Sequence, residues 1–166
     1  LSERADRTRR RMAELGVDVL LLSVGPDLPY LTGYTAMPLE RLTMLVLPRD
    51  GDATLVVPRL EAPRVSERPE VFALRTWEET QDPIAIVAGL VGGAASVAIG
   101  DHTWARFVLD LEGALPAARF VAASAVREGA DGAIGSPGSL TFTRAGDRLV
   151  ADLPLARFAD HFGTIL

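Results

Sequence analysis

The seven residues Val17 to Ser23 constrain this chain more than any others. Apart from Asp18 they form a near-continuous apolar run, and a strand without polar alternation has no face to give to water. It must be covered on both sides. The preceding residues supply a first cover: Leu1, Ala5, Thr8, Met12 and Leu15 recur at helical spacing, a thin apolar stripe on an otherwise charged helix. Glu3 and Asp6 stand early in it and Arg9, Arg10 and Arg11 late, the order that the helix dipole favours. Gly16 fits the position after the last helical residue, where a positive φ is needed.

Further along, Pro26-Asp27-Leu28-Pro29 punctuates the chain, and Tyr30-Leu31-Thr32-Gly33 has the form of a helical turn closed by glycine. Leu42 to Leu47 and Ala53 to Val57 are two strands joined by Arg49-Asp50-Gly51-Asp52; an Asp-Gly pair between apolar runs marks a hairpin. Pro48 and Pro58 bound these strands, where a missing donor does least harm. Val71 to Leu74 reads as a short strand. Asp82-Pro83 then opens a helix as N-cap and first residue, with Ile84, Val87, Ala88 and Val91 on one face. Ser96 to Ile99 is a strand. Asp101 or Thr103 caps the following helix, which carries Trp104, Phe107, Val108, Leu111 and Leu115 on one face and stops at Pro116. Arg119 to Ala123 gives a last strand.

Helices alternating with strands around one hairpin predict an α/β fold: three layers, with a mixed sheet of about five to six strands and helices on both faces. Residues 1–127 make that domain. Residues 128–166 form an atypical tail. Its first part, Glu128 to Ser139, holds four glycines and a proline and reads as a linker. Leu140 to Thr143 and Arg148 to Leu153 flank Ala145-Gly146-Asp147 as a small hairpin, and Leu155 to Phe162 is alternatively one short helix.

Composition closes several routes to function. The 17 basic residues are all arginine and are outnumbered by 22 acidic ones, a net charge of -5. That balance speaks against a dedicated nucleic-acid binder, which needs a basic face. Cysteine is absent, so disulfides, thiolate metal sites and a cysteine nucleophile are excluded. Leu1 to Leu15 is charged throughout and is not a secretory signal. Pro83 to Gly100 is uncharged for 18 residues, but Gly92-Gly93 interrupts it, so it reads as helix, turn and strand and not as a membrane span. A cytoplasmic protein with no nucleic-acid or membrane partner is expected.

Candidate chemistry is sparse. Glu78-Glu79 follows Trp77, but acid/base work needs carboxylates that converge on one bond, and sequence neighbours usually diverge. His102 stands beside Asp101 in what reads as the first turn of a helix, and no nucleophile elbow accompanies it. His161 follows Asp160 near the end of the chain. Arg7, Arg9, Arg10 and Arg11 are better read as a solvated helix face than as a phosphate site. No catalytic residue and no metal ligand is therefore assigned.

One succession is more specific. Arg11 to Ser23, Asp27-Leu-Pro-Tyr-Leu-Thr-Gly-Tyr34, Met44-Leu-Val-Leu-Pro48 and Thr54-Leu-Val-Val-Pro58 occur in that order. It resembles the N-terminal domain of the creatinase/prolidase family, the metal-dependent Xaa-Pro peptidases, over residues 1–127. Asp27 stands where the family often has Asn; both side chains can hydrogen-bond a turn. The resemblance implies a two-domain enzyme whose other domain holds two divalent metals, such as Mn or Co, through two Asp, one His and two Glu. None of those ligands can be placed in this chain, so no cofactor is expected within it. The junction also departs from the family pattern, offering glycines and Ser-Pro between Arg127 and Leu140 where a Lys-x-x-x-Glu helix start is usual.

By the same resemblance, this domain shapes substrate access and subunit contacts without catalysing hydrolysis. The implied partners are a second copy or the domain's own catalytic domain, and a proline-containing peptide is the substrate of the full-length enzyme. Tyr30, Leu31, Thr32 and Gly33 are the structural motif, with Tyr30 and Leu31 as apolar anchors and Gly33 supplying the unusual backbone angle. The loop Tyr34 to Arg41 faces a substrate channel: Tyr34 to stack on a prolyl ring and Arg41 to bind a carboxylate. The alternative is that Tyr34 is core and Arg41 a surface residue beside a strand. Two other functional readings stand beside this one: a protein-binding module of the same fold, and a fragment of a creatinase-type amidinohydrolase.

Overall fold

A computed structural model describes residues 1–127, 141–145 and 148–152. The chain divides into two compact units, Leu1–Ala130 and Asp131–Leu166. In the first, helix α1 (Ser2–Leu15) turns Ala5, Thr8 and Met12 inward. It ends on Gly16, whose φ of 64° is left-handed. The Gly16 amide reaches the Ala13 carbonyl at 3.3 Å and the Val17 amide reaches Met12 at 2.9 Å, so two otherwise orphaned carbonyls are satisfied.

Strand β1 (Val19–Leu22) is buried at all four positions. There follow α2 (Asp27–Thr32), β2 (Met44–Pro48), β3 (Thr54–Pro58), β4 (Ala73–Trp77), α3 (Pro83–Val91), β5 (Ser96–Ile99), α4 (Ala105–Ala114), β6 (Arg119–Ala122) and the short α5 (Ser124–Arg127). Six strands form one sheet in the order β4-β3-β2-β1-β5-β6. β1 runs antiparallel to β2, Leu21 opposite Val46, and parallel to β5, Leu20 opposite Ala98. β2 and β3 are antiparallel, while β3 with β4 and β5 with β6 are parallel. This is the mixed sheet expected.

Alternate strand residues divide the interior. Leu20, Leu22, Leu45, Leu47, Leu55 and Val57 pack with Met12 of α1, Leu28 and Leu31 of α2, and Val126 of α5. Leu21, Met44, Val46, Val56 and Val97 point the other way, onto Val87 and Val91 of α3 and Phe107 and Leu111 of α4. The sheet is thus sandwiched, and each leucine sealed in either layer stabilises the fold by about 1.5–3 kcal/mol.

Asp18 explains the one charge in the apolar run. Its Oδ2 accepts the amides of Ala95 and Ser96, each at 3.0 Å, at the head of β5. Its Oδ1 meets Arg49 Nη1 at 3.1 Å beyond the end of β2. The Asp82 cap also forms, its carboxylate accepting the Ile84 amide at 2.9 Å. Pro83 to Gly100 is α3, a turn and β5, and among the described residues no helix is long and apolar enough to cross a membrane.

Two expectations need correction. The short strand expected at Val71 to Leu74 is β4, Ala73–Trp77, because pairing with β3 sets Thr54 opposite Ala73 and Pro58 opposite Trp77. Val71 and Phe72 instead close a turn, both amides bonding the Arg68 carbonyl. The helix after β5 begins at Ala105, and its N-cap position, Trp104, makes no side-chain cap. Neither Asp101 nor Thr103 caps it: Asp101 Oδ1 accepts the Ser124 amide at 3.4 Å, at the start of α5. His102 accordingly sits in a turn before α4 and not in its first turn.

In the second unit, β7 (Thr141–Ala145) and β8 (Arg148–Asp152) pair antiparallel, the two strands of the expected hairpin. The linker Glu128 to Ser139 and the alternative helix Leu155 to Phe162 lie outside the described residues. Leu21 is fully buried in the central strand. Leu21→Ala should lower stability by about 3 kcal/mol, read as a lower urea midpoint at unchanged slope; a loss below about 1 kcal/mol would contradict this packing.

Candidate functional site

The Tyr-Leu-Thr-Gly-Tyr element is built around α2. Leu28, Leu31 and Thr32 face inward. The Thr32 hydroxyl donates to the Leu28 carbonyl at 2.7 Å and accepts the Tyr34 amide at 3.0 Å. Between them Gly33 turns the chain with a φ of 72°, its amide on the Pro29 carbonyl at 2.8 Å. A β-branched hydroxyl and a glycine thus end the helix and fix the exit direction together. Tyr30 is half-buried against the core beneath Arg4, whose guanidinium lies 4.5 Å from the ring centroid and donates to the Tyr30 carbonyl at 3.0 Å.

Tyr34 leaves this turn with only 7% of its surface exposed and packs in the layer of α1, α2 and α5. Burial pushes its phenol above the usual value of 10.0; Glu61 adds to the rise and Arg64 opposes it. The phenol is therefore neutral at physiological pH. Arg41, at the far end of the loop, pairs with Glu79, Nη2 to Oε1 at 2.7 Å, with both side chains partly exposed. Its neighbour Leu42 packs in the opposite layer, where its carbonyl accepts the Trp77 indole N–H at 2.9 Å. Tyr34 and Arg41 therefore root the two ends of the loop in different layers. An exposed pair like Arg41–Glu79 contributes about 0–1 kcal/mol, so the guanidinium can exchange Glu79 for another carboxylate at little cost.

The other candidates separate. Glu78 pairs with Arg59 at 2.9 Å while Glu79 pairs with Arg41, so the adjacent carboxylates diverge. His102 lies over Gly25: a Cβ at that glycine would stand 3.0 Å from the His102 Cβ. In the basic cluster, Arg9 reaches the carbonyls of Pro48 and Gly51 at 3.2 and 2.7 Å, and Arg11 pairs with Glu14 at 2.8 Å. His161 lies outside the described residues. Among the described residues no group of three or more His, Asp or Glu could hold a metal ion. A two-metal centre has no seat among them.

A cavity of about 180 Å³ opens beside α2. Thr32 to Thr35 wall one side and Arg64, Ser66 and Arg68 the other. The second group comes from the segment between β3 and β4, where no periodicity or motif draws attention to it.

Comparison with known proteins places this geometry. The family model for the creatinase/prolidase N-terminal domain matches residues 4–131. The chain belongs to this family. The probable dipeptidases PepE of Mycobacterium tuberculosis and Mycobacterium bovis are 37% identical over 107 residues, 62% of this chain and 28% of theirs. The chain therefore spans under a third of the length of these relatives. The crystal structure of dipeptidase PepE from Mycobacterium ulcerans superimposes with a TM-score of 0.67 at 33% identity, covering 76% of this chain and 35% of that one. The N-terminal domain of Xaa-Pro dipeptidase from Lactobacillus brevis gives 0.67 at 23% identity, covering 75% of this chain and 98% of that one, a likeness of fold.

The chain has two tyrosines, so one substitution isolates the buried phenol. Because folding favours its neutral form, Tyr34 supports the fold fully below pH 10 and loses that support as pH rises through its raised value. Tyr34→Phe should remove a phenolate absorbance step centred above pH 10. An unchanged alkaline titration would show that Tyr34 is not sequestered.

Proposed function

We propose that this chain is the non-catalytic N-terminal domain of a metal-dependent Xaa-Pro dipeptidase or aminopeptidase, and that it shapes substrate access and holds subunits together. The observation that carries the reading is the family match over residues 4–131, made by residues that include no metal-ligand cluster among those described. The 37% identity to the probable dipeptidases PepE supports the enzyme class. In such an enzyme, two divalent metals held by another domain activate water for attack on the bond preceding proline. The described residues of this chain contribute position and not proton transfer.

Within this reading the loop from Tyr34 to Arg41 faces the substrate. Its two ends are tied to opposite layers of the domain, so its path is fixed by the fold. Arg41 offers a guanidinium whose partner, Glu79, is exposed and exchangeable. That guanidinium suits the carboxylate of a short peptide, to which arginine presents paired donors. Tyr34, 7% exposed at the root of the loop, fixes its direction and offers a substrate only the part of its ring that lines the cavity beside α2. The partners are a second copy of the protein and the metal-bearing domain, with a proline-containing peptide as substrate.

Two measurements test this. The 166-residue chain, given Mn²⁺ and an Xaa-Pro dipeptide, should release no proline above the blank; turnover would overturn the non-catalytic assignment. Sequencing the coding DNA downstream should reveal an open frame with spaced Asp, Asp, His, Glu and Glu. A stop codon there would overturn the peptidase reading and favour a protein-binding module.

A further inference from the structure

The segment between β3 and β4 has no part in the reading above, yet it builds the cavity beside α2. A short turn, Ala62–Arg64, follows β3, and the Arg68 carbonyl then gathers the amides of Val71 and Phe72 at 2.8 and 2.9 Å. These two turns carry Arg64, Ser66 and Arg68 to the side of the cavity facing Thr32, Tyr34 and Thr35. Apart from Gly33, every side chain in that wall ends in a hydroxyl or a guanidinium, and none ends in a carboxylate.

The two arginines are in different states. Arg64 is engaged: its Nη1 lies 3.3 Å from Glu61 Oε2 and 2.8 Å from the Met37 sulfur. Arg68 is half-buried and makes no ion pair or side-chain hydrogen bond among the described residues. Its guanidinium lies over Gly33, with Nε 3.6 Å from where a Cβ would stand. With Glu61 paired to Arg64, the half-buried Arg68 guanidinium is the cation in this wall that a small anion can meet through paired donors.

We propose that this cavity binds a small oxyanion, a carboxylate or a phosphate, with Arg68 as principal ligand and Arg64, Thr35 and Ser66 as supporting donors. The volume of about 180 Å³ holds an anion of that size with water to spare. The guanidinium supplies paired donors in one plane, the geometry that both oxyanions accept. Tyr34 belongs both to this cavity and to the loop proposed above, Arg41 does not line it, and the existence of the site does not depend on the peptidase reading.

The test is an NMR titration of the isotope-labelled 166-residue chain at constant ionic strength, with inorganic phosphate in one arm, acetate in a second and chloride in a third. Saturable shifts at the amides of Gly33, Thr35 and Ser66 and at the Arg68 Nε–H are expected with phosphate, acetate or both, at about millimolar affinity. Saturation by one alone identifies the source as phosphate or carboxylate. Arg68→Gln should weaken binding about tenfold or more, whereas Arg75→Gln, an exposed position on β4, should leave it unchanged. Arg64→Gln, expected to weaken it less, serves as a second variant should Arg68→Gln lose its folded spectrum. Shifts that stay linear, an equal response to chloride, or wild-type affinity in both cavity variants would overturn the proposal.

Discussion

The burial of β1 on both faces is the constraint on which the rest of the domain depends. Four consecutive apolar residues at the centre of a sheet leave no side for solvent, so helices must pack above and below. Helices α1, α2 and α5 satisfy one face, and α3 and α4 the other. The sharp exits at Gly16 and Gly33 follow from that demand, because each helix must stop and turn within a residue or two to return its chain to the sheet or its edge. Sealing β1 thus determines where chain direction has to change.

Features set by neighbours in sequence were legible in the sequence, and features set by distant partners were not. Gly16, Gly33, the Asp82-Pro83 helix start and the hairpin around Asp50-Gly51 are local arrangements, and each appears as its residue types imply. β4 lies two residues later than its apolar pattern suggests at its start, because β3 supplies the register and the Leu42 carbonyl holds Trp77. α4 starts later than its sequence signals imply for a related reason. Asp101, a natural cap by composition, is committed to α5 across the sheet edge. The arginine-lined cavity was hidden most completely, since its two walls are some thirty residues apart and neither has a periodic pattern.

Family membership and activity are separate questions for this molecule. The fold is that of the creatinase/prolidase N-terminal domain, but a fold supplies a frame and function resides in sites placed on it. The described side chains offer cations and hydroxyls: Arg41 with an exchangeable partner, and Arg68 with none among the described residues. Such groups recognise and orient anionic ligands. Glu78 and Glu79 are drawn apart by different arginines, and His102 lies over Gly25.

Asp18 carries an implication of its own. A strand that is apolar on both sides cannot count its own alignment, since sliding it by one residue exchanges one set of leucine and valine side chains for another. Oil cannot tell these frames apart. The carboxylate can, because only one frame presents the Ala95 and Ser96 amides and the Arg49 guanidinium to it together. A single acid at the rim therefore acts as the zero mark of the sheet, letting the greasiest part of the sequence be both deeply hidden and unambiguous.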